Sequence, residues 1–308
     1  MSSEATQVVR KPAVGVIGLG NMGGRIAARL SAQGFDVRGV DQRQQQGEHY
    51  GVPQVDGLAA LGGAEVILLS LPDSAAVESV ILGDAGAALF GRDGLLVADL
   101  TTADPRSTRR LAGILAARGV SFIDAGVSGG PGGAAAGTLT VMLGGEPASI
   151  ARLDPVLTAI STRRFHLGAS GSGHAAKAVN NFLNAVNLAA ISEAMVIGQA
   201  AGLEPHQLLD VINASSGRNW SSENRMPGIL DGDYMPGSLN SILLAKDVSV
   251  YLSMAQAARM PAFIGSSCHA LFALAAASSW GSDSANRIFD LMSGWAAAAA
   301  QPTAQPTA

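Results

Sequence analysis

Cysteine is nearly absent from this chain. Its 308 residues hold one, Cys268, so no internal disulfide can form and the sequence suits a reducing compartment. Charge is scarce as well. Asp, Glu, Lys and Arg make up 14% of the residues, against a usual share of about 25%. That leaves few solvated faces, so extensive apolar contact between domains or copies of the chain is expected. No basic run occurs and the net charge is −4, which argues against a nucleic-acid partner. The five histidines, at 49, 166, 174, 206 and 269, are scattered without ligand spacing, so no metal is expected. Residues 1–12 are polar and lack the apolar core of a signal peptide. No uninterrupted apolar run reaches the length of a membrane span. The expectation is a cytoplasmic chain without a membrane partner.

Glycine, by contrast, is plentiful, at 38 residues. The apolar run Val14-Gly15-Val16-Ile17 ends in Gly18-Leu19-Gly20-Asn21-Met22-Gly23, and helix-compatible sequence over 25–33 follows at once. A second short strand, 36–40, ends at Asp41, eighteen residues past Gly23. Strand, G-x-G-x-x-G turn, helix, strand and acid in that order describe a dinucleotide-binding βαβ unit. Gly18 permits the tight turn, Gly20 lets the backbone approach a pyrophosphate, and Gly23 lets the helix pack close to the strand. The pyrophosphate would rest on the positive end of the following helix. Asp41 would receive the ribose hydroxyls, which favours NAD over NADP. A merely flexible loop leaves the acid unexplained.

Strand and helix patterns then alternate. Val66-Ile67-Leu68-Leu69-Ser70-Leu71 is continuous and apolar, as in a parallel strand covered on both faces. Pro72 ends it, and Asp73 or Ser74 is placed to cap a helix reaching about Leu82. Further strands are expected at 95–100, 121–125, 138–143 and 163–167, with a helix over 105–118 and a Gly-dense stretch at 126–133. Beyond Gly171-Ser172-Gly173 the pattern turns helical throughout, beginning with an unbroken run over 174–201 of roughly 40 Å. The reading is α/β: a Rossmann-type doubly wound sheet domain at 12–172 and an all-α domain at 173–295. A low-complexity, disordered tail is expected at 296–308.

Three later stretches narrow the chemistry. Leu71-Pro72 and Thr101-Thr102 follow the third and fourth strands, where open sheets bind ligands, though strand termination and capping explain them equally. Ser128-Gly129-Gly130 offers a hydroxyl and two backbone amides as a carboxylate cradle, or is an ordinary Gly-rich loop. Lys177 and Asn181 are four apart and share a helix face. Lys177 is also the only charged group between Arg164 and Glu193. A lone ammonium so placed is partly desolvated, which suits proton transfer; the alternative is a lysine reaching to solvent.

With these residues in view, residues 14–292 resemble the β-hydroxyacid dehydrogenase family, which includes 3-hydroxyisobutyrate dehydrogenases and tartronate semialdehyde reductases. Gly18 to Gly23 is similar to its N-terminal motif, and Asp124 to Gly130 to its D-A-P-V-S-G-G. Gly171 to Asn181 fits its G-x-G-x-x-x-K-x-x-N-N, and Lys246-Asp247-Val248 its K-D-L. The resemblance implies Lys177 as general acid/base with Asn181 orienting substrate, and Ser128, Gly129 and Gly130 at the substrate carboxylate. It implies Gly18, Leu19, Gly20, Asn21, Met22, Gly23, Asp41, Leu71, Pro72, Thr102 and Lys246 at NAD or NADP. The implied reaction interconverts a small β-hydroxy acid and its semialdehyde or keto acid by hydride transfer. Residues 217–225 are expected to face the substrate. A homodimer or homotetramer joined through the helical domain is expected too. Two positions depart from the family. Gly126 stands where proline is usual, so the loop loses a fixed φ. The basic residue after the acid is Arg43 rather than position 42. The alternatives are an imine reductase, whose members typically lack this lysine, and a cofactor-binding scaffold, whose members have lost it. The much longer 6-phosphogluconate dehydrogenases share the architecture.

Overall fold

The computed structural model describes residues 10–42, 50–235 and 237–299. Its strands are β1 (Val14–Ile17), β2 (Val37–Val40), β3 (Val66–Leu69), β4 (Leu96–Asp99), β5 (Ser121–Ser128), β6 (Leu139–Gly144) and β7 (Ser161–His166). The helices among them are α1 (Gly23–Ala32), α2 (Ser74–Leu82), α3 (Asp84–Ala87), α4 (Pro105–Ala116), α5 (Gly130–Ala136) and α6 (Pro147–Ile160). Then come α7 (Ser172–Ala200), α8 (Pro205–Asn213), α9 (Trp220–Asn224), α10 (Met226–Leu230), α11 (Ser241–Ala257), α12 (Phe263–Ala277) and α13 (Ile288–Ala299). Two compact units divide between Lys177 and Ala178, within α7 rather than in the turn before it.

The first unit holds a seven-stranded sheet in the order β2-β1-β3-β4-β5-β6-β7. Its pairs are parallel except β5 with β6. Both faces are covered, which is why β3 shows no polar alternation. Val66 and Leu68 join one apolar cluster with Ile26 and Leu30 of α1 and Leu153 and Leu157 of α6. Ile67 and Leu69 join the other, with Val77 and Ile81 of α2 and Leu111 and Leu115 of α4. Fully burying each such side chain contributes roughly 1.5–3 kcal/mol. Asp73 caps α2, accepting from the Ala76 amide at 2.8 Å. Asp104 caps α4, accepting from the Arg106 amide at 2.8 Å. That helix ends at Ala116, short of the expected Arg118, because Gly119 at φ 72 turns the chain toward β5.

The Gly-dense stretch is more ordered than its composition implies. Pairing of Val127 with Val141 and Ser128 with Thr140 carries β5 on to Ser128. Gly129 (φ 128) and Gly130 (φ 63) then form a corner, and Pro131 suits the first turn of α5.

The second unit is helical. Ala185, Leu188, Ile191 and Met195 of α7 pack with Leu209, Leu244, Val248, Phe272 and Ile288 in one core. By length and composition alone α7 is long and apolar enough for a membrane span, although it is not an uninterrupted apolar run. Polar residues such as Asn180, Asn181 and Glu193 interrupt it, and its apolar positions fill that core. The expected disordered tail is corrected in part: residues 296–299 belong to α13, since alanine is the strongest helix former and Ala296 packs on the core. Residues 300–308, and Arg43, lie outside the described residues.

Candidate active site

Gly18 leaves β1 at φ 93, and a Cβ there would meet the Ser70 carbonyl oxygen at 2.2 Å. Gly23 opens α1 so tightly against the turn that a Cβ would lie 1.9 Å from the Gly18 carbonyl oxygen. Gly20 faces open space instead, with nothing within 4 Å of its missing side chain. No side chain caps α1. Its first turn therefore offers amides and the positive dipole end beside an uncrowded glycine, which suits a pyrophosphate. Leu19 is buried beneath the turn, while Asn21 is exposed and accepts from the Arg25 guanidinium. Asp41 follows β2 and its Oδ2 accepts from the Leu19 amide at 2.7 Å. Turn and acid are thus one bonded unit, and the acid's chemistry fits ribose hydroxyls.

The ends of β3 and β4 are joined in the same manner. The Leu71 amide donates to the Thr101 hydroxyl at 3.1 Å, and the Thr101 amide donates to Asp99 Oδ1 at 3.0 Å. Pro72 and Thr102 adjoin this junction, the first exposed and the second partly so.

Strand periodicity puts Asp124, Gly126 and Ser128 on one face of β5, since Ile123, Ala125 and Val127 enter the apolar cluster on the other. Asp124 is fully buried and Ser128 partly exposed. The stem of Lys177 lies against Gly126: a Cβ on that glycine would sit 2.7 Å from Lys177 Cβ. So the lysine rests on the strand face that ends in Ser128, Gly129 and Gly130.

In the second unit Asn181 is 4% exposed and its Nδ2 donates to Asp247 Oδ2 at 2.5 Å. Lys246 Nζ stands 2.7 Å from the other oxygen of that carboxylate, a charge contact. Phe182 and Tyr251 stack at 4.0 Å and hold α7 and α11 in register there. Sequence reasoning did not select Asp247, although it lies in the quoted Lys-Asp-Val match. Within residues 217–225, Asn219 caps α9 with a capping box. Arg225 is buried over the Trp220 ring and donates to Asn286 at 3.0 Å. Burial lowers its pKa to about 10. Among the described residues no group of three or more His, Cys, Asp or Glu is placed to hold a metal.

Residues 13–168 match the family described as the NAD binding domain of 6-phosphogluconate dehydrogenase. Residues 171–291 match the NAD-binding family of NADP-dependent 3-hydroxyisobutyrate dehydrogenase. The L-threonate dehydrogenase of Cupriavidus necator is 34% identical, over 91% of this chain and 96% of its own. The chain belongs to the β-hydroxyacid dehydrogenase family. It is an NAD(P)-dependent oxidoreductase acting on the hydroxyl or keto group of small acids. The NAD-dependent L-serine dehydrogenase of Pseudomonas aeruginosa is 36% identical, over 85% of this chain and 91% of its own. The solved structure of the Mycobacterium tuberculosis 3-hydroxyisobutyrate dehydrogenase with L-serine is also similar. It has 30% identity and a TM-score of 0.83, covering 92% of this chain and 99% of that one.

Proposed function

We propose that this β-hydroxyacid dehydrogenase oxidises a small β-hydroxy acid, with Lys177 taking the proton of the substrate hydroxyl. The observation that carries the reading is the seat of Lys177 on Gly126, on the same β5 face as Ser128. A carboxylate held by the Ser128 hydroxyl and the Gly129 and Gly130 amides puts the β-hydroxyl near the lysine rather than the strand. Asn181, one turn along α7, orients that hydroxyl. The bound nicotinamide supplies the hydride acceptor. Residues 18–23, Asp41, Leu71, Pro72, Thr102 and Lys246 would hold NAD, or less readily NADP. L-threonate, L-serine and 3-hydroxyisobutyrate, named in the relatives, all carry a hydroxyl β to the carboxylate. We propose also that the working unit is a homodimer or homotetramer.

Alcohol oxidation needs a base within reach of the departing hydroxyl proton. A panel of β-hydroxy acids assayed by absorbance at 340 nm identifies the preferred substrate. On that substrate Lys177→Ala is expected to lower kcat by about 10²–10⁴-fold, the usual share of a general acid/base. NAD affinity should be unchanged. Lys177→Arg should not restore turnover, because a guanidinium keeps its proton at neutral pH. Near-native turnover in Lys177→Ala would reject the mechanism.

A further inference from the structure

The start of α7 is held by β5 from below. Asp124 Oδ1 accepts from the Gly171 amide at 2.8 Å and Oδ2 from the His174 amide at 2.9 Å. One fully buried carboxylate thus satisfies two of the amides that a helix start leaves without intrahelical partners. Contact around it is close. A Cβ on Gly144 would lie 2.6 Å from Asp124 Oδ2, and one on Gly173 would lie 2.4 Å from the Met142 carbonyl oxygen. The His174 ring fixes the rotation of this first turn. Its Nδ1 meets the Thr108 hydroxyl at 2.7 Å, and its Nε2 meets the Asp99 carbonyl oxygen at 3.1 Å. A carbonyl only accepts, so Nε2 carries the proton.

Two residues beyond Asp124, on the same strand face, Gly126 receives the Lys177 stem. Its φ is not positive, so the backbone does not call for glycine; the space does. A Cβ there would come 2.7 Å from Lys177 Cβ and 3.1 Å from its Cγ. The near atom is the root of the lysine, not its flexible tip. In this chain's geometry a side chain at 126 requires the Lys177 stem or the strand beneath it to shift.

We propose that Asp124 and Gly126 are positioning residues for Lys177. Asp124 fixes the height of α7 on β5, and Gly126 sets how deeply the lysine sits beside Ser128. This rests on the catalytic reading of Lys177, so one readout is chosen that does not involve turnover. The chain has three lysines, Lys11, Lys177 and Lys246. Reductive methylation with ¹³C-formaldehyde therefore gives few dimethyl-lysine signals, and that of Lys177 is identified by its loss in Lys177→Ala.

Gly126→Ala and Asp124→Asn are compared with the parent. The asparagine keeps one acceptor but turns an N–H toward the second amide. Both variants should move the Lys177 signal while leaving those of Lys11 and Lys246 in place. Gly126→Ala should lower kcat by up to about 10²-fold, the cost of displacing a reacting group by roughly 1 Å. KM and the Kd for NAD should stay within about twofold of the parent. Added to Lys177→Ala, Gly126→Ala should lower the residual rate no further, because it acts through the missing side chain. If Asp124→Asn does not fold, Gly126→Ala alone decides. An unmoved Lys177 signal in Gly126→Ala overturns the proposal, as does an equal rate loss with and without Lys177. A moved signal with Lys177→Ala still active supports the positioning and rejects only the catalytic reading.

Discussion

Asn181 Nδ2 donates to Asp247 Oδ2 at 2.5 Å, and the other oxygen of that carboxylate lies 2.7 Å from Lys246 Nζ. One buried acid therefore orients an amide on α7 and an ammonium on α11. Removing it leaves the Asn181 amide buried without this acceptor. Asp247→Ala is expected to lower unfolding stability by about 1–3 kcal/mol, with Asp247→Asn losing less. Urea denaturation measures both. Equal midpoints for parent and Asp247→Ala would reject this role for the carboxylate.

Cofactor preference tests Asp41. Asp41→Asn keeps an acceptor for the Leu19 amide but removes the charge that a 2′-phosphate would meet. NADP is expected to bind about tenfold tighter to this variant, a change of roughly 1.4 kcal/mol, with NAD altered much less. Asp41→Ala also loosens the turn, so both cofactors should weaken relative to Asp41→Asn. Calorimetric titration of the parent and both variants gives the six constants. No gain for NADP in Asp41→Asn would exclude Asp41 as the discriminating group.

Asp99 predicts a pH dependence of stability. Burial holds its carboxyl above the ordinary value of 3.8, against the pull of His174 and the bonds from Thr101. Its folded pKa exceeds its unfolded pKa, so over that window the folded state binds more protons and stability falls as pH rises. The contribution is full below the unfolded value and is lost as pH passes through the raised folded value. Asp99→Asn keeps the bond from the Thr101 amide and does not titrate. Its stability should decline less than that of the parent as pH rises above the ordinary carboxyl value of 3.8. Parallel curves would show that ionising Asp99 costs nothing.

Assembly is tested through α12. Phe263 is 80% exposed and Ile264 64%, while Ile197 of α7 and Val211 of α8 are also bare in the same unit. Burial against a second copy stabilises each by up to roughly 1.5–3 kcal/mol. Light scattering is expected to give a multiple of 31.1 kDa, and Phe263→Asp to shift it toward a single chain. A single-chain mass for the parent would refute the assembly.

The cofactor half was legible because its signals are local. Strand, turn and helix around Gly18 and Gly23 are contiguous, Asp41 closes the next strand at a set spacing from them, and the two-sided burial of β3 is written in an unbroken apolar run. The length of α7 was legible too, from the absence of breakers. Asp124 and Asp247 were not selected, since what distinguishes them is a partner far along the chain: Gly171 and His174 for one, Asn181 for the other. The reach of β5 to Ser128 escaped for a similar reason. Glycines at 126, 129 and 130 signal a loop until antiparallel β6 supplies the pairing.

Gly18 and the residues about it carry an evolutionary consequence. Any side chain at Gly23 collides with the Gly18 carbonyl, and any at Gly18 collides with that of Ser70. A substitution at either position must shift backbone, and neither change relieves the other. Selection for a new cofactor therefore meets a steric cost at this turn. It must act at the mouth of β2, where a replacement of Asp41 that still accepts from the Leu19 amide leaves the turn's backbone in place. The turn works as an inherited constant, and the residues after β2 are where descendants of this protein are free to diverge.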